Sequence, residues 1–217
     1  MNDVLKRYSL LLFSLFVMGL GISAITRSQL GTSAISSVPY ILSFIYPLSF
    51  GTFTLLTNWL YVFAEIILLG KDFPKKQYLQ FILCLFFGFF IDFGMWLLQG
   101  VQPATYLAKL VILIMGCLIL AAGILMQLKA DEVVNPSEGI VKAMASRTGK
   151  PFNRIKVIYD FALVAGTIVI SWLAFGDIRG VREGTIITAV LVGPFIKLIS
   201  SGLDKCKKKQ TQDAGGL

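Results

Sequence analysis

Histidine is absent from this 217-residue chain, and it carries only three cysteines and twelve acidic residues. With no His, no Cys pair and no acids at ligand spacing, the usual zinc and catalytic-metal arrangements have nothing to be built from. With no glycine loop ahead of a Lys, a phosphate-cradling nucleotide site is missing too. The expectation is a protein that is not an enzyme and holds no metal or other cofactor. Any ATP-driven motor would have to come from another chain. Three cysteines make no disulfide framework, and they fall apart from one another: Cys84 and Cys117 lie within apolar runs and Cys206 in the C-terminal tail. Charge is scarce as well, at 15% of residues against 56% hydrophobic, which excludes an ordinary water-soluble domain.

Long apolar runs fill the space left by these absences. A bilayer core about 30 Å thick needs roughly 20 apolar residues of helix per crossing. Six stretches meet that length: Tyr8 to Thr26, Phe50 to Gly70, Tyr78 to Gly100, Tyr106 to Leu128, Ile155 to Phe175 and Gly184 to Leu203. None alternates as a barrel strand does, and lipid satisfies no backbone polar group, so each is expected to be helical. The fold class is all-α, a polytopic bundle of six transmembrane helices. Residues 1–203 form one membrane domain and 204–217 a basic, disordered tail. The first run is too long for the apolar core of a cleaved signal, which spans ~7 to 15 residues.

The basic residues set the orientation. With the N-terminus on the cytoplasmic side, fifteen Lys and Arg lie inside and three outside, Arg27, Arg179 and Arg182, with Lys109 and Lys197 near span ends. Both termini are therefore expected in the cytoplasm. The excess of positive charge thus reports topology and not a nucleic-acid partner; the partners expected are the lipid bilayer and a small solute. A second copy of the chain or a separate membrane or ATPase subunit also fits this architecture.

Twice a span breaks into a short Gly/Ser/Pro-punctuated stretch before the next resumes, at Gly31 to Phe50 and at Val133 to Phe152. Three spans per half is an odd number, so two like halves, about 8–100 and 106–203, would have opposite orientations, as in many transporters. A shift of 102 residues superimposes every span and both breaks, placing Arg27 on Lys129, Ser33 on Asn135 and Asn58 on Asp160, although residue identity along it is only what chance gives. Asn135-Pro136-Ser137-Glu138 reads as an N-cap, a Pro at the first helical position and an acid that can reach back to free amides. Ile140, Val141 and Met144 form an apolar edge, placing this helix on the inner surface or beside the pathway. The first break carries no charge from Thr32 to Ser49. Ile35, Val38, Leu42 and Ile45 fall near one face and Ser36, Ser37, Tyr40 and Ser43 on others, while Pro39 and Pro47 interrupt or end the helix. It is expected either to re-enter the bundle or to lie at the outer interface.

Ionisable groups inside a membrane cost ~2.5 to 3.5 kcal/mol at mid-helix and mark pathways by default. Asp92 is the deepest acid, and it is the first candidate for a substrate or ion path, its alternative being a hydrogen bond to a neighbouring span. Asn58 and Asp160 could face each other across a two-fold axis, although Asp160 can also pair with Lys156 on its own helix. Glu65 reads as an acid snorkelling toward the end of its span. Arg27 closes a span, where the helix dipole favours a cation; with free amides near Ser33 it would make an anion site. Ser36, Pro39 and Tyr40 of the first break complete the candidates. So does Pro194, which with Gly193 kinks the sixth span.

Gly19 to Ser23, Leu30 to Tyr40, Ser49 to Phe53, Gly88 to Asp92, the Asp160 position, Gly180 to Thr185 and Gly193-Pro194 together resemble the YczE/YyaS/YitT family of bacterial integral membrane proteins, in its YczE-like branch. The resemblance covers nearly the whole chain to Leu203. One departure is Ala34, where relatives often carry Pro after the Leu-Gly-x-x element; Pro136 occupies the shifted position. The resemblance implies a multi-pass protein of the bacterial plasma membrane and assigns no substrate. A small-solute transporter or permease is the functional expectation. A substrate-binding membrane subunit that needs an ATPase, and an accessory protein that moves nothing, are the alternatives.

Overall fold

A computed structural model describes the backbone of residues 3–130 and 132–214 and the side chains of 5–130 and 132–202. The disorder expected of the tail at 204–217 falls outside the fully described residues. Among the described residues eight helices follow one another: α1 Asp3–Arg27, α2 Ala34–Ile45, α3 Phe50–Leu69, α4 Gln80–Leu97, α5 Tyr106–Ala130, α6 Pro136–Thr148, α7 Phe152–Phe175 and α8 Glu183–Ala214. Two 3-10 turns, Gly70–Asp72 and Lys75–Leu79, join α3 to α4. Six of the helices are long and apolar enough to cross a bilayer, and α2 and α6 are the short ones between spans. The protein is thus a multi-pass membrane bundle, and its apolar residues face outward freely: Ile67, Phe161 and Leu173 are all largely exposed.

At the centre α1 crosses α5 at close quarters. A Cβ on Gly21 would stand 2.6 Å from the backbone nitrogen of Leu120, and one on Gly123 would stand 2.6 Å from Met18 Cγ. Lipid provides no hydrophobic drive for helices to associate, so close backbone approach through small residues is what holds such a crossing. The remaining helices pack around it in pairs: α1 with α4 and α5 with α8, α2 with α3 and α6 with α7, α2 with α7 and α6 with α3. Each of these contacts has its counterpart under the 102-residue shift. One pair does not. α3 packs along α4, whereas α7 and α8 make no more than marginal contact.

Sequence chemistry accounts for the short helices, with two differences from expectation. Pro39 stands inside α2 without interrupting it, and Pro47 follows the helix end. The face of α2 turned into the protein is the hydroxyl-bearing one, with Ala34, Ser36, Ser37, Pro39 and Ile41 buried, while Ile35, Val38, Leu42 and Ile45 are half-buried. In lipid the apolar stripe has no reason to hide, whereas hydroxyls gain partners only inside. Ser37 accordingly meets Thr167 of α7 at 2.9 Å. α6 also sits deeper than a surface helix, with Pro136, Ser137, Gly139, Ile140, Val141 and Ala143 buried. Its approach to α3 covers Glu65, which is 5% exposed and so does not snorkel as its position near the span end implied.

The two ends of the bundle are tied differently. At one, Glu132 ahead of α6 is paired with Lys76 and lies 3.6 Å from Arg7. The hydrogen bond from Lys76, and then the charges of Lys76 and Arg7, hold the Glu132 carboxyl below the usual carboxylate range. At the other end backbone bonds do the work: Gly184 N–H donates to Leu30 O at 2.8 Å and Thr32 N–H to Gly180 O at 3.2 Å.

Candidate functional site

The first turns of both short helices open onto one cavity of about 290 Å³. Ser33 to Ser36 bring α2 to it; Asn135, Ser137 and Glu138 bring α6. Each start is capped as its sequence demands. Ser33, extended at φ −67° and ψ 155°, accepts from Ser36 N–H at 3.3 Å. Asn135 Oδ1 accepts from Ser137 N–H at 3.2 Å and from Ser137 Oγ at 3.0 Å. Glu138, expected to reach back to the cap, borders the cavity. Two helix N-termini facing one space place about half a positive charge each at its edge.

The walls are apolar, with Met18 and Ile22 of α1, Phe87 of α4, Leu120 and Ile124 of α5, and Val192 and Ile196 of α8. One charged pair stands among them: Lys156 Nζ donates to Asp160 Oδ1 at 2.5 Å on α7. Lys156, Asp160, Glu138 and the helix ends together make a small polar cluster set against hydrocarbon. Such a site suits a solute with a charged or zwitterionic head and an apolar body.

The cavity lies where α7 and α8 stand apart, and the first half shows what would have closed it. There Gly51 N–H donates to Asp92 Oδ1 at 2.7 Å and Ser49 Oγ donates to Asp92 Oδ2 at 2.5 Å, so the α4 carboxylate clamps the start of α3. Gly51 and Gly88 let the two backbones touch. At the shifted positions stand Pro151 for Ser49, Asn153 for Gly51, Val190 for Gly88 and Pro194 for Asp92. No carboxylate, no serine hydroxyl and no small pair remain to draw α8 onto α7.

Of the candidates read from sequence, the structure brings Asp160 and Ser36 to the cavity, and Gly193 beside Pro194. Pro194 itself faces outward. Asp92 is engaged in the clamp. Asn58 is buried in α3 and does not meet Asp160 in the cavity. Arg27 Nη2 donates to Met95 O at 2.7 Å, beside the end of α4 and not at the α2 start. Tyr40 packs edge-on against Phe44 and Phe50, at 4.7 and 5.2 Å between ring centres, and Pro39 is buried in α2. Sequence reading missed Ser137, Glu138, Lys156 and Thr188 as lining residues. The pairing of Ser33 with Asn135 under the shift was the signal that both caps occupy equivalent places.

A six-span bundle with a short helix after the first span of each half is the class these features define. Over residues 5–201 the chain matches the model of a family of unknown function, DUF6198, and it belongs to that family. No curated protein and no solved structure matches it.

Proposed function

We propose that this protein is a small-solute transporter or permease, neither enzyme nor cofactor carrier, whose solute occupies the cavity between the starts of α2 and α6. The observation that carries the reading is the convergence of two capped helix N-termini and one ion pair on a single apolar-walled space inside a membrane bundle. Broken helices aimed at a central site are how transporters built from inverted repeats hold charged solutes.

Residues 8–100 and 106–203 are two such repeats in this reading. Its support lies in contacts that recur under the shift. Gly21 against Leu120 becomes Gly123 against Met18, and Ser37 against Thr167 becomes Gly139 against Glu65. Each short helix rests on a long helix of the other half, so rocking one half against the other opens the cavity to alternate sides. The unclamped α7–α8 pair is the part free to move. Lys156 and Asp160 bind the solute head by exchanging their mutual contact for contacts with it. The resemblance to the YczE/YyaS/YitT family and the bias of basic residues support a location in a bacterial plasma membrane with both termini inside.

Reconstitution into proteoliposomes with a panel of labelled small metabolites, with and without a proton gradient, tests this. Uptake of a zwitterionic or anionic solute is expected, falling at least about tenfold in Lys156→Gln and in Asp160→Asn, the equivalent of one charged contact of ~1.4 kcal/mol. Uptake unchanged in both variants would remove the cavity from the pathway.

A further inference from the structure

Glu65 lies outside the cavity, and the hydrogen bonds beside it determine its protonation. They begin at a group that can only donate, the backbone N–H of Val134, which gives its hydrogen to Gln77 Oε1 at 3.2 Å. Gln77 therefore turns its oxygen toward Val134, and that same oxygen accepts from Gln80 Nε2 at 2.7 Å. The Gln80 amide is oriented in turn. Its nitrogen faces Gln77, and its Oε1 is left buried with no donor. Gln80 also hydrogen-bonds to Glu65, whose Oε2 is left buried and unpaired, set against Gly139 in the first turn of α6. A carboxylate oxygen buried in a helix interface without a donor is an arrangement that a bare charge does not sustain. One proton on Glu65 removes that buried charge.

We propose that Glu65 is a proton-binding site, occupied while α6 is seated on α3 and emptied when α6 lifts away. The transport reading is needed only for the consequence, that the proton is the coupling ion. The surroundings of Glu65 are otherwise low in charge. Across the interface α6 presents Lys142 as the charge acting on it, while Arg147 of α6 is engaged with the carbonyls of Leu68 and Leu69 at 2.5 and 3.1 Å. α4 contributes Gln80, and Lys71 and Asp72 of the turn after α3 are exposed. α2 meets the opposite end of α3, through Tyr40 on Phe50 and Tyr46 on Phe53, and carries no acid or base.

Two further features connect the site to the cavity. Gln77 holds Val134, the residue before the Asn135 cap, so the bonded chain from Glu65 ends at the cavity edge. At the shifted positions the corresponding interface of α2 with α7 is held by the neutral Ser37–Thr167 bond. Only the α6 side is thereby sensitive to a proton, which gives the two halves unequal responses to pH.

Loss of the proton leaves a bare carboxylate against α6, so seating weakens as pH rises. Infrared spectroscopy of the full chain in lipid is expected to show a protonated-carboxyl band that fades as pH is raised and is absent from Glu65→Gln. Hydrogen exchange across 136–148, corrected for intrinsic rates, is expected to accelerate several-fold over the same pH rise. In Glu65→Gln, which does not titrate, that acceleration is lost. In the wild type alone, band loss and α6 opening must share one midpoint, a check that survives if the variant fails to fold. A band untouched by Glu65→Gln, an identical pH response in that variant, or separate wild-type midpoints would overturn the proposal. The proton site needs no transported solute: a titrating Glu65 in a protein that moves nothing upholds the proton site and sinks the cavity reading. Solute flux that moves no protons overturns the coupling and leaves the cavity reading standing.

Discussion

Gly21→Leu is expected to abolish the folded monomer. Position 21 lies where α1 and α5 cross, and even its first added carbon would come within 2.6 Å of the Leu120 nitrogen and 2.8 Å of its Cα. The obstacle is backbone on both sides, so no side chain can turn away to make room. Overpacking in a tight core costs typically ~1 to 3 kcal/mol, and more where neither partner can retreat. Here the crossing is the one about which the other helices are arranged, and burial from water contributes little to its stability. Size-exclusion profiles and thermal midpoints in detergent are expected to show aggregation or a large drop for Gly21→Leu. Gly166→Leu, in a helix with nothing near its added carbon, is expected to behave as the wild type. Equal stability of the two variants would mean that the α1–α5 crossing is not the structural centre.

Asp92→Leu is the second change with a large expected effect. The carboxylate takes one hydrogen from Gly51 N–H and one from Ser49 Oγ, and hydrogen bonds to a charged group contribute ~1.5 to 3 kcal/mol each. Its removal also leaves a helix-start N–H without its partner. A drop in thermal midpoint is expected for Asp92→Leu and a smaller one for Asp92→Asn, which keeps an oxygen to accept. Ser49→Ala should couple with Asp92→Asn in a double-mutant cycle. This separates the clamp from the pathway role that its depth in the span invited. A clamp residue loses stability and retains uptake per folded molecule. A pathway residue does the opposite, so an Asp92→Asn protein of wild-type stability with no uptake would contradict the clamp.

How far the sequence was legible follows from where the physics is local. Span lengths and helix caps are set by neighbours in the chain, so Asn135 and Pro136 announced α6 and the apolar runs announced the six long helices, although α8 continues past Leu203 to Ala214. Pairings between distant segments left weaker marks. Depth alone singled out Asp92, because sequence shows how far a residue lies from a span end and not that Gly51 offers an amide beside it. Glu65 was misplaced for the same reason: the helix that covers it arrives from the other half of the chain. Which face of α2 turns inward was not legible, because amphipathic patterning separates two faces without saying what medium lies outside; here that medium favours Ile35 and Leu42 over Ser36 and Ser37. The open α7–α8 pair was legible only once the first half showed which residues make the closed one, after which Pro151, Asn153, Val190 and Pro194 read as its missing parts.

Access to Ser36 from each side of the membrane tests the solute pathway most directly, since it requires no knowledge of the solute. Cys84 and Cys117 are buried, so a Cys206→Ser background carrying Ser36→Cys presents one thiol at the cavity. A membrane-impermeant maleimide applied to right-side-out and to inside-out vesicles is predicted to modify that thiol from both sides, because a transporter opens its site alternately to each. Modification from one side only, or from neither, would contradict the account.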